Sequence, residues 1–355
     1  MPPGGGKPTL VMVSTLPGSS ALCLPAVGRQ ASRETGWGGF TLVISMAHIW
    51  PIGGGKGGTG KSFLTGNIGI MLARQGFKTL LIDADLGSPN LHTVIGLPYP
   101  EKSLSDFFSK RLTDLEDAVL ETPIPNLFLI SGARNKLDVA NLAFEQKKRM
   151  LRAISRLDYD YILMDLSAGT SFNTIDFFTL SGSAIFVCCP EPTSIENLYR
   201  LILSLYTRRI HHLLKSQAFR DLAEKAESLN PDANVSKPEV LLHVLKEIDP
   251  EKAGMIERIL QAFQFRLVIN QLRKQDKPTI GSLICQIIAK HLCLNMQFMG
   301  NVSFDERVHD GLCAKAPFVE RYLYSQVTLD LRSVARGIVN GNHEQTENPL
   351  SVSQT

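Results

Sequence analysis

From residue 47 onward the chain alternates two kinds of hydrophobic pattern, short unbroken apolar runs and longer stretches whose apolar residues recur every three or four positions. The first run, HIWPI (48–52), leads into a glycine-rich loop, and SFLTGNIGIMLARQG (62–76) then has helical spacing and closes on Gly76. KTLLIDAD (78–85) is a second apolar run ending in carboxylates, which completes a strand–helix–strand unit. Further runs follow at NLFLISG (126–132), YDYILMDL (159–166), GSAIFVCC (182–189) and FRLVINQL (265–272). Strands buried on both faces read in this unbroken way, so the pattern predicts an α/β fold, a mostly parallel twisted sheet with helices on both faces. Pro51 cannot donate to a strand ladder and is expected to mark the end of the first strand.

Between the last two runs the period changes for a long interval, about residues 195–262. Leu198, Leu201, Ile202, Leu205, Ile210, Leu213 and Leu214 follow mostly three-to-four spacing, NPDANVSKP (230–238) interrupts it, and Asp249-Pro250 has the form of a helix start. A helical insertion is expected there. Residues 1–45, rich in Gly, Pro and Ser and without sustained periodicity, read as a disordered extension, and Met46 reads as the natural start. The main domain is expected over 46–340, followed by a polar tail at 341–355.

Composition narrows the class only a little. At 355 residues, 44% apolar and 20% charged, the chain is ordinary for a globular protein, and a net charge of +3 is too small to imply a polyanion-binding surface over the whole molecule while leaving room for a local basic patch. The six cysteines form no CxxC and no cluster with histidine, which argues against zinc and iron–sulfur sites and against a cluster-scaffold role. Cys188 and Cys189 lie in an apolar run, as buried thiols of a reducing, cytoplasmic compartment would. The longest uncharged run, 35–55, is broken by glycines, His48 and Pro51 and is no membrane span.

The chemistry is concentrated in GGGKGGTGKS (53–62). Gly55, Gly60, Lys61 and Ser62 complete a phosphate-loop pattern, in which backbone N–H groups approach phosphate oxygens, Lys61 reaches the outer phosphates and Ser62 offers a hydroxyl to magnesium. Asp83, Asp85 and Asp165 stand at the C-terminal ends of apolar runs, the sheet edge where such folds bind ligands. There they are suited to hold hydrated magnesium and position a water, the bland alternative being helix N-caps. Lys56 is surplus to the cradle.

That second lysine carries a resemblance. GKGGTGKS resembles the deviant Walker A motif of the MinD/ParA class of ATPases, LLIDADLGSPNLHTVIG resembles its first switch, and DLSAGTS resembles its D-x-P-A-G motif, with Ser167 in place of the proline. The resemblance implies ATP and Mg2+ as cofactors, with Gly55, Lys56, Gly57, Gly58, Thr59, Gly60, Lys61, Ser62 and Phe63 around the nucleotide. It implies Ser62, Asp83 and Asp165 near the metal, and Asp85 orienting the attacking water. Lys56 is implied to cross to the partner's nucleotide in an ATP-bound homodimer. Asn270 in LVINQL, and Ser303 and Asp305 in MGNVSFDERV (299–308), resemble the adenine-binding segments.

DLSAGTSFNTIDFF and PEPTSIENLYRLI look most like the branch that includes the flagellar-number regulators FlhG and FleN. The implied function is a switch that dimerises with ATP, hydrolyses it to ADP and phosphate, answers to a protein regulator or receptor, and controls the placement or number of a cellular structure. The alternative is a ParA-type partitioning ATPase binding DNA non-specifically through TRRIHHLLK (207–215), a stretch that also reads as the solvated face of a helix. Glu191 and Glu196 read either as partners for Lys56 across the dimer or as first-turn helix charges. The polar C-terminal residues lack the basic and bulky apolar face of a membrane-surface helix, which disfavours direct membrane binding.

Overall fold

A computed structural model describes residues 47–132, 144–229, 238–292 and 294–347. The expected extension at 1–45, Met46, and residues 348–355 of the expected tail lie outside them. The first half holds β1 (His48–Gly54), α1 (Lys61–Arg74), β2 (Thr79–Ala84), α2 (Leu91–Val94), α3 (Leu104–Phe108), β3 (Leu120–Glu121) and β4 (Leu127–Ile130). The middle holds α4 (Phe144–Ile154), β5 (Tyr161–Ala168), α5 (Phe172–Ser181), β6 (Ser183–Cys188), α6 (Pro192–Leu214), α7 (Arg220–Leu229), α8 (Pro238–Ile248) and α9 (Pro250–Gln261). The remainder is β7 (Gln264–Leu272), α10 (Ile280–Leu292), β8 (Met296–Ser303), α11 (Arg307–Cys313), α12 (Phe318–Arg321) and α13 (Gln326–Glu347). Helix α13 thus runs past residue 340, where the polar tail was expected to begin.

The strands form one eight-stranded sheet in the order β3-β4-β2-β5-β1-β6-β7-β8, parallel except for the short edge pair β3–β4. Each inner strand buries both faces. In β2, Leu80 and Ile82 join one core with Met150, Phe177 and Leu201, whereas Leu81 points the other way into the core that also holds Leu64, Ile68 and Leu331. Helix α1 lies in the second layer against α13, and only Ser62 and Arg74 of its fourteen residues escape burial. A helix this enclosed holds its N-terminus, and the loop before it, in a fixed position over the sheet edge.

Pro51 does not end β1. It lies inside the strand opposite Met164 of β5, while pairing with β6 begins only at Ile52. The missing N–H therefore falls where β1 has a ladder on one side alone, so little hydrogen bonding is lost. Helices α6 to α9 occupy 192–261, between β6 and β7. Strand β8 is among the elements that periodicity did not single out, because Gln297 and Asn301 interrupt its apolar pattern.

Helices α4, α5 and α6 are joined by buried charge. The Lys147 ammonium lies 2.7 Å from Asp176 Oδ2, with both side chains only 3% exposed, and Arg208 meets the other carboxylate oxygen at 2.7 Å. Arg209 donates to the Thr179 carbonyl at 2.9 Å and lies over the Phe263 ring. Both arginines of the basic 207–215 stretch are thus turned toward the protein. Cys188 and Cys189 are buried free thiols, whereas Cys313 is exposed. Among the described residues no helix is long and apolar enough to cross a membrane.

Candidate functional site

The loop between β1 and α1 has the backbone that its glycines permit. Gly58 and Gly60 have φ of 77° and 83°, in the left-handed region that suits glycine. Gly60 is the N-cap of α1 without a side-chain cap, and the first turn carries no acidic residue, so the helix start keeps its N–H groups and positive potential for an anion. A β-carbon on Gly57 or Gly58 would meet nothing within 4 Å, so the crest stands clear of protein. At Gly55 the reverse holds, since a β-carbon there would overlap the backbone carbonyl of Asn197 in α6.

The two lysines diverge. Lys61 is buried, donates to the Lys56 carbonyl at 3.5 Å, and has its ammonium held below the usual lysine range by burial, opposed by the charges of Asp165 and Asp85. Lys56 points outward: its side chain is 40% exposed and pairs with Glu191 Oε2 at 2.8 Å and Thr193 Oγ1 at 3.2 Å. The Glu191 contact holds the Lys56 ammonium above its usual range. Glu191 therefore meets Lys56 within one chain. Glu196 pairs with Arg200 one turn on, as a helix-surface charge.

Asp83 and Asp165 stand opposite each other in the β2–β5 register at the C-terminal edge of the sheet. Burial is the main force pushing both carboxyls up, Asp165 to about 7, and each gains further upward pressure from neighbouring carboxylates. Asp165 is tempered by the Ser62 hydroxyl, the Lys61 charge and the Thr65 hydroxyl, the last at 3.4 Å from Oδ1. Its Oδ2 is buried with no hydrogen-bond partner. An orphaned carboxylate oxygen beside a serine hydroxyl is an oxygen donor set that fits a hard divalent cation. Thr65, one turn after Lys61, was not among the expected site residues, although its position in the first turns of α1 is the signal that would have found it.

Asp83 has a second task. Its Oδ1 accepts from Asp85 N at 3.2 Å and its Oδ2 from Leu91 N at 3.0 Å, which folds residues 85–91 over the sheet edge. Asp85 accepts from the N–H groups of Gly87 and Ser88, both at 3.2 Å, so its carboxylate rests on its own turn. In the 165–171 segment, Gly169 has φ of 86° and donates to the Gly54 carbonyl at 2.9 Å. Ser167, standing where the resembling motif has proline, shares a hydroxyl contact of 3.1 Å with Thr174, while Ser171 caps α5.

The late residues divide. Asn270 is buried and donates to the Thr59 carbonyl at 2.8 Å, placing it against the phosphate loop. Ser303 donates from both N and Oγ to Asp330 of α13, at 2.9 and 2.7 Å. Asp305 is gripped by Arg307, which holds its carboxyl below the usual range. Phe63 packs edge-on against Phe318 in the core, so it is the backbone of this residue that faces the loop end.

Comparison with known proteins agrees with this geometry. Residues 51–318 match the family described as the CobQ/CobB/MinD/ParA nucleotide binding domain. The antiactivator FleN of Pseudomonas aeruginosa is 32% identical over 184 residues, 51% of this chain and 63% of FleN, so the chain spans about three fifths of that relative's length. Among solved structures, MinD of Pyrococcus horikoshii complexed with Mg-ADP superposes with a TM-score of 0.58 at 19% identity, over 86% of this chain and all of that one. The MinC:MinD cell division complex of Aquifex aeolicus gives 0.54 at 21% identity, over 87% and 99%. These two share the fold. With the family match covering most of the chain, the protein belongs to the CobQ/CobB/MinD/ParA nucleotide binding family.

Proposed function

We propose that the protein is a nucleotide-dependent switch, which pairs with a second copy when it holds ATP and is reset by hydrolysis to ADP and phosphate. The observation that carries this reading is the division between the two lysines. Lys61 is buried beneath the loop and is suited to neutralise its own nucleotide, whereas Lys56 stands at the surface, outside the cradle it belongs to.

The N–H groups of the loop and of the first turn of α1 bind and orient the phosphates. Ser62 and Asp165 would hold magnesium, which when bound supplies the positive charge that draws the outer phosphates together. Asp83 fixes the 85–91 loop, and Asp85, released from its own turn, orients the attacking water. Lys56, released from Glu191, crosses to the partner's phosphates. The similarity to FleN and to MinD favours a role in the placement or number of a cellular structure, flagellum-type, exercised through a protein regulator or receptor. The MinC:MinD complex is a precedent for such a partner on this fold.

The test is the mass in solution with Mg-ADP and with Mg-ATP, together with phosphate release, for the parent, Lys56→Ala and Asp85→Ala. The expected pattern is an ATP-dependent dimer for the parent, nucleotide binding without dimer for Lys56→Ala, and a persistent ATP dimer without turnover for Asp85→Ala. A parent that hydrolyses ATP while remaining monomeric would overturn the switch.

A further inference from the structure

Asn270 and Gln271 are consecutive residues at the end of β7, yet both reach the phosphate loop. In a regular strand consecutive side chains point to opposite faces of the sheet. Here the register between β7 and β8 shifts between Ile269 and Leu272, and Gln271 has φ of 59°, the left-handed region that a residue with a side chain rarely occupies. The kink swings its amide to the loop, where Nε2 donates to the Gly58 carbonyl at 2.8 Å. Glycine or asparagine would adopt this backbone more readily. A glutamine held there, against its conformational preference, marks a side chain with work to do.

We infer that Gln271 is a positioning residue for the phosphate cradle, a role that rests on the nucleotide-binding reading of the loop. In a planar trans peptide the carbonyl of one residue and the N–H of the next point in opposite directions. By drawing the Gly58 carbonyl toward β7, Gln271 turns the Thr59 N–H to the far side. Asn270, through the Thr59 carbonyl, does the same for the Gly60 N–H. Two successive donors are thereby fixed before any anion arrives. Thr59 itself is buried, whereas the Gly58 carbonyl is at the surface, so Gln271 holds that first peptide plane in competition with water. The close fit is visible at Gly60, where a β-carbon would overlap the Asn270 amide.

The experiment is calorimetric titration of the parent, Gln271→Gly and Gln271→Glu with Mg-ADP and Mg-IDP, beside the unfolding midpoint of each without nucleotide. Glycine removes the amide and relieves the backbone; glutamate keeps the length and removes the donor. The expected result for Gln271→Gly is an unfolding midpoint no lower than the parent's with binding about three- to tenfold weaker, the range for one lost hydrogen bond. Gln271→Glu should weaken binding at least as much. The loss should be equal for ADP and IDP, whose base edges differ, because the loop and not the base is disturbed. Binding by Gln271→Gly within twofold of the parent, a loss confined to ADP, or a lowered midpoint without nucleotide would each overturn the inference while leaving the switch standing. A parent that binds no Mg-ADP would overturn both.

Discussion

Replacing Asp165 by asparagine should stabilise the nucleotide-free protein and disable the magnesium site proposed above. Asp165 is 1% exposed, and burial, aided by the charge of Asp85, pushes its carboxyl to about 7, against about 4 in an unfolded chain. Below about pH 4 the group is protonated in both states and has no effect on stability. From about 4 to 7 the unfolded chain releases the proton and the folded protein keeps it, so stability is lost as pH rises, and above about 7 the loss is complete. A shift of about three units corresponds to about 4 kcal/mol. Asparagine keeps an oxygen for Thr65 and has no charge to desolvate. Urea denaturation without nucleotide should therefore show Asp165→Asn more stable than the parent by up to about 4 kcal/mol at pH 8, with little difference at pH 4. Magnesium must also compete with the proton, so the parent's affinity for Mg-nucleotide should fall about tenfold from pH 8 to 6 as Asp165 protonates. Equal stability of the two proteins at pH 8 would refute the reasoning.

Other perturbations have expected outcomes of their own. Lys61→Ala should abolish Mg-ADP binding measured by calorimetry, because it removes the buried ammonium beneath the loop that faces Asp165 and Asp85. Lys147→Ala leaves Asp176 buried with Arg208 as its remaining counter-charge among the described residues and should cost about 3–5 kcal/mol in chemical denaturation, most of it recovered in Lys147→Met/Asp176→Leu. Gly55→Ala drives a methyl into the Asn197 carbonyl and should cost about 1–3 kcal/mol of stability together with weakened nucleotide binding, seen by thermal shift with and without Mg-ADP.

What could be read beforehand was whatever is local in the chain. The phosphate loop, α1 and the carboxylates ending β2 and β5 lie within short segments, where glycine spacing and apolar runs speak directly. Tertiary pairings are not written in spacing: Glu191 was read as a partner for Lys56 only across a dimer, whereas the pair forms within one chain between residues 135 apart, and Asp83 and Asp165 were brought together by the family resemblance, their juxtaposition depending on β5 lying beside β2. Pro51 misled because propensity says nothing of which side of a strand is paired. Gln271 was invisible because its left-handed backbone falls on a residue type that gives no warning of it. The buried Lys147–Asp176 pair was hidden by composition, since a lysine among Lys148, Arg149 and Arg152 reads as one more surface charge.

The close approach of Gly55 to Asn197 has a mechanical meaning. Helix α6 has 23 residues and, at about 1.5 Å each, is about 35 Å long. Its first turns press on the phosphate loop with no slack for a methyl group, while its last turns lie far across the molecule beside α4 and α5. Such a rod is a lever with its short arm at the nucleotide: a tilt of about 3° there moves the distal end by about 2 Å, the scale on which packed interfaces exchange one arrangement for another.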